Sequence, residues 1–264
     1  VGQPSQAQIA AAGRLRRSIP ENLYAAAHSP IDAYLLSLAL ILEREGPHLE
    51  RQLSIVHEQL GEQRANRVKG LHAELAAIDA TYRLPVREIA FPALRQRKPA
   101  ELEYLIDLSN RLIEIDGEID LYEYCFHRVL ASSLERAMHP SRRRKNRRAS
   151  RAPVRSAAVD LLRLVAHHGH EDNFEGEKAF RAGLGFFGQW ANDAVYDSER
   201  KFRADAMDKK LDLLAALNGD GRQMLVKGIT AVIAHDGEIT GPEGDLMRAV
   251  CATLEVPLPP ILSS

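Results

Sequence analysis

Apolar side chains recur every three or four residues along almost the whole chain, which is the spacing of one face of an α-helix. Leu49, Leu53, Val56 and Leu60 form one such stripe. No stretch shows the sustained alternation of apolar and polar residues that is typical of a β-strand. The pattern therefore predicts an all-α, multi-helix bundle. The longer predicted helices span residues 31–44, 85–94, 99–115, 121–138, 154–168, 174–187, 198–218, 221–235 and 241–254.

One eight-residue phrase occurs twice, each time between two apolar helical segments. Residues 116–123 read DGEIDLYE and residues 236–243 read DGEITGPE; we call them the first and second DGEI corners. In each, the glycine suits the left-handed conformation that ends a helix, and the isoleucine is expected to pack into the hairpin. The next helix then opens with a capping box, Asp120 with Glu123 or Thr240 with Glu243. The chain is thus predicted to contain two related helical hairpins.

The DGEI corners also concentrate acidic side chains, so they are candidate cation sites. Oxygen ligands of this kind suit Ca²⁺ or Mg²⁺. The spacing is not that of an EF-hand, and Thr240 replaces the carboxylate of Asp120 in the second copy. Helix capping explains the same residues without a metal and is the preferred interpretation. The candidate metal ligands are Asp116, Glu118, Asp120, Glu123, Asp236, Glu238 and Glu243.

Residues 167–172 read HHGHED and hold the densest set of potential metal ligands. Adjacent histidines on a helix point in directions about 100° apart, so they do not readily face one ion. Gly169 is expected to end the helix here, and a helix C-terminus favours a cationic histidine. The segment is therefore predicted to be a solvated helix end. A zinc site would need a carboxylate or histidine from elsewhere in the chain.

Residues 140–153 are strongly basic and contain no apolar side chain large enough to anchor them, so they are predicted to form a mobile loop. Such a loop could contact an anionic membrane surface, where each basic residue contributes about 1 kcal/mol, or the phosphates of RNA. A merely solvated linker is the alternative. The candidate contact residues are Arg142, Arg143, Arg144, Lys145, Arg147, Arg148 and Arg151.

The composition narrows the classes of function and of partner that remain possible. The 264 residues carry a net charge of −1, so no global field attracts nucleic acid, and no specific nucleic-acid partner is expected. Cys125 and Cys251 lie in amphipathic helical patterns without CxxC spacing and are predicted to be buried, inert thiols. The longest apolar run, residues 33–42, is half of a membrane span. The chain has no start methionine or signal peptide, so we predict that it is part of a longer protein.

Catalytic motifs are absent from the sequence. It contains no His-Glu-x-x-His, no Gly-x-Ser-x-Gly, no phosphate-binding glycine loop and no dinucleotide fingerprint. Gly183, Gly185 and Gly188, which alternate with Phe and Trp side chains in residues 182–190 (AGLGFFGQW), are interpreted as sites of close helix packing.

Four segments resemble one bacterial family: residues 1–4 (VGQP), 91–95 (FPALR), 115–125 (IDGEIDLYEYC) and 234–239 (AHDGEI). They are similar to the C-terminal soluble region of membrane-bound zinc metallopeptidases of the HtpX/CAAX-prenyl-protease type. The resemblance covers nearly the whole chain and is most specific over residues 96–139. The helix–DGEI–helix repeat also resembles TerB-like tellurite-resistance domains, which are all-helical.

The resemblance implies a non-catalytic accessory region whose parent carries its zinc site and membrane helices upstream. We therefore predict an N-terminal helical subdomain (residues 1–98) and a TerB-like helical domain (99–264). The expected partners are the parent's own protease domain and a protein substrate or regulator, at the cytoplasmic face of the bacterial inner membrane, with the isolated chain soluble. The alternatives are a free-standing TerB-like cation-binding stress module and an RNA-associated helical protein.

Overall fold

The computed structural model describes residues 18–79, 82–115, 121–139, 150–170, 172–197, 204–237 and 239–259. These residues form twelve α-helices and one short 3₁₀ turn, and none of them lies in a β-strand. The prediction of an all-α, multi-helix fold is therefore confirmed. Asp116, Glu118, Asp120 and Glu238, together with residues 140–149, lie outside the described residues.

The chain divides into two compact units, residues 1–118 and 119–264. The division falls later than the predicted boundary at residue 98, because the helix that begins at Pro99 packs on the apolar helix of the first unit. The described helices of the first unit are α1 (Glu21–His28), α2 (Pro30–Ile41), α3 (Leu49–Leu60), α4 (Glu62–Ala76), α5 (Arg83–Leu94) and α6 (Pro99–Ile113).

The first unit is built around α2. Ser29 caps this helix by accepting a hydrogen bond from the Asp32 N–H at 3.4 Å, and Pro30 occupies its first turn. Every residue from Ala33 to Ile41 is buried, because α1, α4, α5 and α6 all pack against it. The longest apolar run of the chain is therefore a core helix. Within the described ranges, no helix is both long enough and apolar enough to cross a membrane.

Polar side chains satisfy the backbone groups where α2 ends. The Arg83 guanidinium donates to the Leu40 carbonyl at 2.7 Å, and His72 Nε2 donates to the Glu43 carbonyl at 2.7 Å. The Gln52 amide accepts from the Glu43 N–H at 2.8 Å and donates to a carbonyl of α6 at 3.1 Å. Burial, together with the charge of Arg83, lowers the pKa of His72, although its hydrogen bond to Glu43 acts the other way. His72 is thus held neutral as a structural donor.

The second unit contains α7 (Leu121–Met138), α8 (Arg151–Gly169), α9 (Asn173–Leu184), a 3₁₀ turn (Gln189–Ala191), α10 (Ala204–Leu214), α11 (Gly219–Ile233) and α12 (Gly241–Leu254). Helix α8 packs against α9, α10 and α11, and α7 packs along α12. The bounds of α7 and α12 agree with the sequence prediction.

The basic segment ends earlier than predicted. Helix α8 begins at Arg151, so the last three residues of the predicted loop 140–153 are helical. Pro153 lies in the first turn of α8, where a backbone N–H has no partner within the helix and proline is therefore tolerated. Arg151 is exposed at the start of this helix.

Two glycines let α9 and α11 approach closely. A Cβ on Gly183 would lie 2.9 Å from the Gly228 carbonyl, and a Cβ on Gly228 would lie 2.7 Å from the ring of Phe187. Neither position accepts a side chain without moving backbone or a buried ring. The interpretation as a close-packing residue is confirmed for Gly183 and wrong for Gly188, where a Cβ would meet nothing within 4 Å. The contact at Gly183 and Gly228 brings the end of α11 alongside the start of α9.

Helices α7 and α12 are joined by the buried core and by one arginine. The Arg128 guanidinium donates to the Thr253 hydroxyl at 3.1 Å and to Asp208 and Asp212 of α10 at 3.1 and 2.8 Å. Cys125 and Cys251 form no disulfide, and both are buried, as predicted. Burial raises the pKa of Cys251 to about 11, so this sulfur stays a protonated thiol at neutral pH.

Candidate functional site: a buried corner where α8 meets the second DGEI corner

The end of α8 and the start of α12 bring three side chains together that are far apart in the sequence. His170 directly follows α8, Asp236 lies in the turn after α11, and Glu243 lies in the first turn of α12. We call these three residues the His170 corner. All three belong to the second unit.

Local sequence explains the shape of the second DGEI corner. Gly237 has a φ of 83°, in the left-handed region that glycine adopts without strain. Thr240 then caps α12: its hydroxyl accepts from the Glu243 N–H at 3.4 Å, and the Glu243 carboxylate accepts from the Thr240 N–H at 2.9 Å. The predicted left-handed glycine and capping box are confirmed for this copy. Ile239, however, was expected to pack into the hairpin and is instead 41% exposed.

Glu243 is a buried carboxylate that uses only one of its two oxygens. The residue is 1% exposed. Its Oε2 atom accepts from both the N–H and the hydroxyl of Thr240, at 2.9 and 2.8 Å. Its Oε1 atom is buried and has no hydrogen-bond donor among the described residues. An unsatisfied buried acceptor costs about 1–3 kcal/mol, and more when it is charged.

The environment of Glu243 favours its neutral form. Burial raises the pKa of its carboxyl above the ordinary value of 4.5, and the negative charge of Asp236 acts in the same direction. The two hydrogen bonds from Thr240 and the nearby His170 oppose that rise. Ionisation of Glu243 therefore costs more free energy in the folded chain than in water.

Gly169, the last residue of α8, makes room for this carboxylate. A Cβ on Gly169 would overlap Oε1 of Glu243. The helix end and the capping glutamate are thus in direct contact, and only glycine fits between them. The prediction that α8 ends at Gly169 is confirmed.

His170 was predicted to be solvated at a helix end, and this is wrong: its side chain is 4% exposed. Its Nδ1 atom lies 3.2 Å from the Ala166 carbonyl. A carbonyl oxygen only accepts, so Nδ1 carries the hydrogen, and in the neutral ring Nε2 presents a lone pair. Nε2 lies 3.7 Å from Oδ2 of Asp236, which is longer than a hydrogen bond. The ring is buried because α12 and the second DGEI corner cover the end of α8.

A second histidine–carboxylate pair borders the His170 corner. His235 Nε2 lies 4.0 Å from Oε2 of Glu175, and the His235 ring centre is 6.2 Å from that of His170. Both residues of this pair are partly exposed. The arrangement follows from the close approach of α9 and α11, which places the first turn of α9 beside the end of α11.

The predicted site residues separate into four groups, of which Arg151, exposed at the start of α8, forms one by itself. Asp236 and Glu243 are brought together at the His170 corner. Glu123 lies in the first turn of α7 and is partly buried. The rest of the predicted ligands, and the basic residues 142–148, lie outside the described residues.

Sequence reasoning recognised both halves of this site but did not join them. For the HHGHED segment, a site was expected to need a carboxylate from elsewhere in the chain. The second DGEI corner, more than sixty residues later in the sequence, supplies that carboxylate. Only the contact between α8 and α12 relates the two. Taken over the residues that the structure describes, no group of three or more His, Cys, Asp and Glu side chains is placed so that it could hold a metal ion as it stands.

Comparison with known proteins adds no assignment: no family model, no curated protein and no solved structure matches this chain.

Proposed function

We propose that this chain is a non-catalytic accessory region of a membrane-bound zinc metallopeptidase of the HtpX/CAAX-prenyl-protease type, and that it regulates the protease or recognises its protein substrates. The four segments that resemble this family support the proposal. In the parent protein the zinc ion belongs to the protease domain, and this region faces the cytoplasm at the inner membrane.

The architecture is compatible with this role. Two helical units with separate cores offer surfaces for a partner, and the sequence contains no His-Glu-x-x-His with which to activate a water molecule. The exposed Arg151 at the start of α8 continues the basic segment and would add affinity for an anionic membrane.

Proteolysis assays and the gene itself test this proposal. The purified chain with added zinc should not cleave casein or unfolded peptides, whereas chelator-sensitive turnover would overturn the proposal. The reading frame upstream of the Val1 codon should encode a zinc motif and apolar spans. A start codon immediately upstream would also refute it.

A TerB-like divalent-cation-binding module is the second candidate function. The electrostatic influence of Asp236 on the carboxyl of Glu243 favours it, because both residues offer oxygen ligands at one corner. A cation at 100 times its dissociation constant should raise the free energy of unfolding by about 2.7 kcal/mol.

Thermal unfolding with Ca²⁺, Mg²⁺ and Zn²⁺ tests this second candidate. Asp120→Ala and Thr240→Ala each remove a predicted cap, at a cost of about 1 kcal/mol with or without metal. If no cation changes the melting temperature of wild type or of either variant, the DGEI corners only cap helices.

A further inference from the structure

Apolar side chains that reach the surface flank one buried ring of the second unit. Phe187 is buried, and its ring meets that of Trp190 edge-on, with centres 5.7 Å apart. Phe186, the residue before it, is 44% exposed. A Cβ on Gly228 of α11 would lie 2.7 Å from the Phe187 ring. Met224, which is 42% exposed, lies one turn before Gly228 on the same face of that helix.

An arginine of α8 lies on this apolar surface. The Arg155 guanidinium lies over the Trp190 ring, 4.7 Å from its centre, which is within the range of a cation–π contact. Arg151 precedes it by one turn on the same face of α8, and the first turn of α8 contains no acidic residue. We call the four side chains at this surface the Trp190 patch: Arg155, Phe186, Trp190 and Met224.

The positive charge beside the Trp190 patch comes from α8. On α11, Lys227 and Asp220 are both exposed within about one turn of Met224, and their opposite charges offset each other. The exposed Asp193, three residues after Trp190, offsets one arginine. Six further basic residues occur at positions 142–148, shortly before α8 in the sequence. The α8 side of the patch is therefore its basic edge.

This combination of side chains suits a membrane interface. Tryptophan is enriched where acyl chains meet headgroups, because its ring is apolar and its N–H is polar. Peripheral helical surfaces that enter this layer place Trp, Phe and Leu on one face and Lys or Arg beside them. An arginine that stacks on an aromatic ring keeps N–H groups at the edge of its guanidinium, and these can donate to a lipid phosphate.

The same geometry disfavours single-stranded nucleic acid as the partner. Proteins bind such strands by stacking bases on the faces of aromatic rings. Arg155 already covers one face of Trp190, and the buried Phe187 ring meets Trp190 from another side. The net charge of −1 adds no general attraction for a polyanion.

We infer that the Trp190 patch docks on an anionic membrane surface. Phe186, Met224 and the Trp190 ring enter the boundary between headgroups and acyl chains, while Arg151 and Arg155 contact lipid phosphates. This inference rests on the membrane attachment in the proposed function and specifies the surface that makes the contact. The basic segment alone would attract the chain to a membrane, whereas apolar insertion at the patch would also orient it.

Fluorescence of the 264-residue chain tests the inference directly, because Trp190 is its single tryptophan. Vesicles contain equal parts of phosphatidylcholine and phosphatidylglycerol, with bromine on the acyl chains. Binding should quench Trp190 emission, and unbrominated vesicles of the same composition should shift the emission to shorter wavelengths. Vesicles of phosphatidylcholine alone should do neither. Equal quenching by brominated phosphatidylcholine alone would refute the anionic partner.

Two substitutions in the Trp190 patch separate its apolar and basic contributions, with sedimentation of vesicles as the measurement. Phe186→Ser should weaken binding about tenfold, because one apolar side chain no longer leaves water. Ile31→Ser is its control, since Ile31 is exposed in the first unit and its loss should change nothing. Met224→Ser serves as a second apolar variant in case Phe186→Ser does not fold.

Arg155→Gln should weaken binding about fivefold, the effect of one basic residue at an anionic surface. Arg111→Gln, which removes an exposed charge from the first unit, is its control. Wild-type affinity in both Phe186→Ser and Arg155→Gln would overturn the inference.

The outcomes distinguish this inference from the proposed function. If anionic vesicles bind the chain without quenching Trp190, the inference is wrong, and membrane contact through the basic segment stands. If the vesicles do not bind at all, the inference is also wrong, while the reading frame upstream of Val1 still decides the proposed function. Quenching by polyuridylate but not by vesicles would assign the patch to nucleic acid and refute the inference.

Discussion

The carboxylate of Glu243 lies against the α-carbon of Gly169, so the first turn of α12 rests directly on the last residue of α8. This contact joins the second DGEI corner to the histidine-rich segment, and it explains why a buried acid and a buried imidazole share one corner. A single added methyl group at Gly169 would therefore disturb this contact.

Gly169→Ala should destabilise the second unit, because the new methyl group overlaps Glu243 Oε1 and forces the capping carboxylate to move. We expect a loss of about 1–3 kcal/mol in the free energy of unfolding, as for overpacked sites. Urea denaturation followed by circular dichroism measures it. Gly70→Ala in α4 is the control: a Cβ there meets nothing within 4 Å, so this change should be stabilising by about 0.4–1 kcal/mol. Equal effects of the two substitutions would contradict the contact.

Glu243→Gln should change how stability depends on pH. The pKa of Glu243 is raised in the folded state, so the folded chain holds this proton more tightly than the unfolded chain. The stabilising effect of the neutral carboxyl is complete below pH 4.5, the pKa of the unfolded state. It is lost as the pH rises through the raised pKa of the folded state. A tenfold difference in proton affinity between the folded and unfolded chain corresponds to about 1.4 kcal/mol.

The variant cannot ionise at this position. Its free energy of unfolding, minus that of wild type, should therefore increase as pH rises above 4.5 in chelator-treated samples. Urea titrations at several pH values measure this difference. A difference that does not vary with pH would mean that burial does not perturb Glu243.

His72 should make the first unit sensitive to acid. Its pKa is lowered by burial, so the unfolded chain takes up the proton first as pH falls below 6.5. The stability that neutral His72 provides is present above the unfolded-state pKa of 6.5. It is lost as the pH falls toward the lowered pKa of the folded state. The opening free energy of α4, obtained from hydrogen exchange after correction for the intrinsic pH dependence of amide exchange, should therefore fall between neutral and mildly acidic pH. His72→Gln keeps a donor for the Glu43 carbonyl and should abolish this fall.

Trypsin should cut first within residues 142–151, where seven basic residues occur among side chains too small to anchor a core. The two fragments should stay associated, because α7 precedes the cut and packs on α12, with Arg128 bonded to Thr253 at 3.1 Å. Mass spectrometry of a short digestion identifies the site. First cleavage within residues 154–168 would contradict the prediction.

The same segment predicts salt-sensitive membrane binding. Binding to anionic vesicles should weaken as added salt shortens the Debye length from about 10 Å to about 3 Å. Replacing Arg142, Arg143 and Arg144 with glutamine should weaken binding at low salt, whereas neutral vesicles provide the control. Binding that does not respond to salt would assign the contact to another surface.

Local sequence was sufficient wherever neighbouring residues determine the structure. The helical spacing of apolar side chains predicted the all-α fold, and the bounds of α7 and α12 follow from it. The capping box of Thr240 and Glu243 and the left-handed Gly237 were also predictable, because their hydrogen bonds and dihedral angles involve residues within one turn of each other. The prediction of a loop over residues 151–153 is wrong because it weighs their charge above the first-turn role of Pro153.

Burial and long-range pairing depended on the tertiary structure. Ile239 has an apolar side chain that would suit a core, but it is exposed. His170 has a polar side chain that would suit a surface, but that side chain is buried. Each outcome depends on which helix covers the residue. The sequence by itself determined the helices, their caps and the presence of ligand-type side chains at two distant places. Only the packing of α8 against α12 decided that His170, Asp236 and Glu243 lie together, since helical periodicity specifies which face of a helix is apolar but not which partner that face meets.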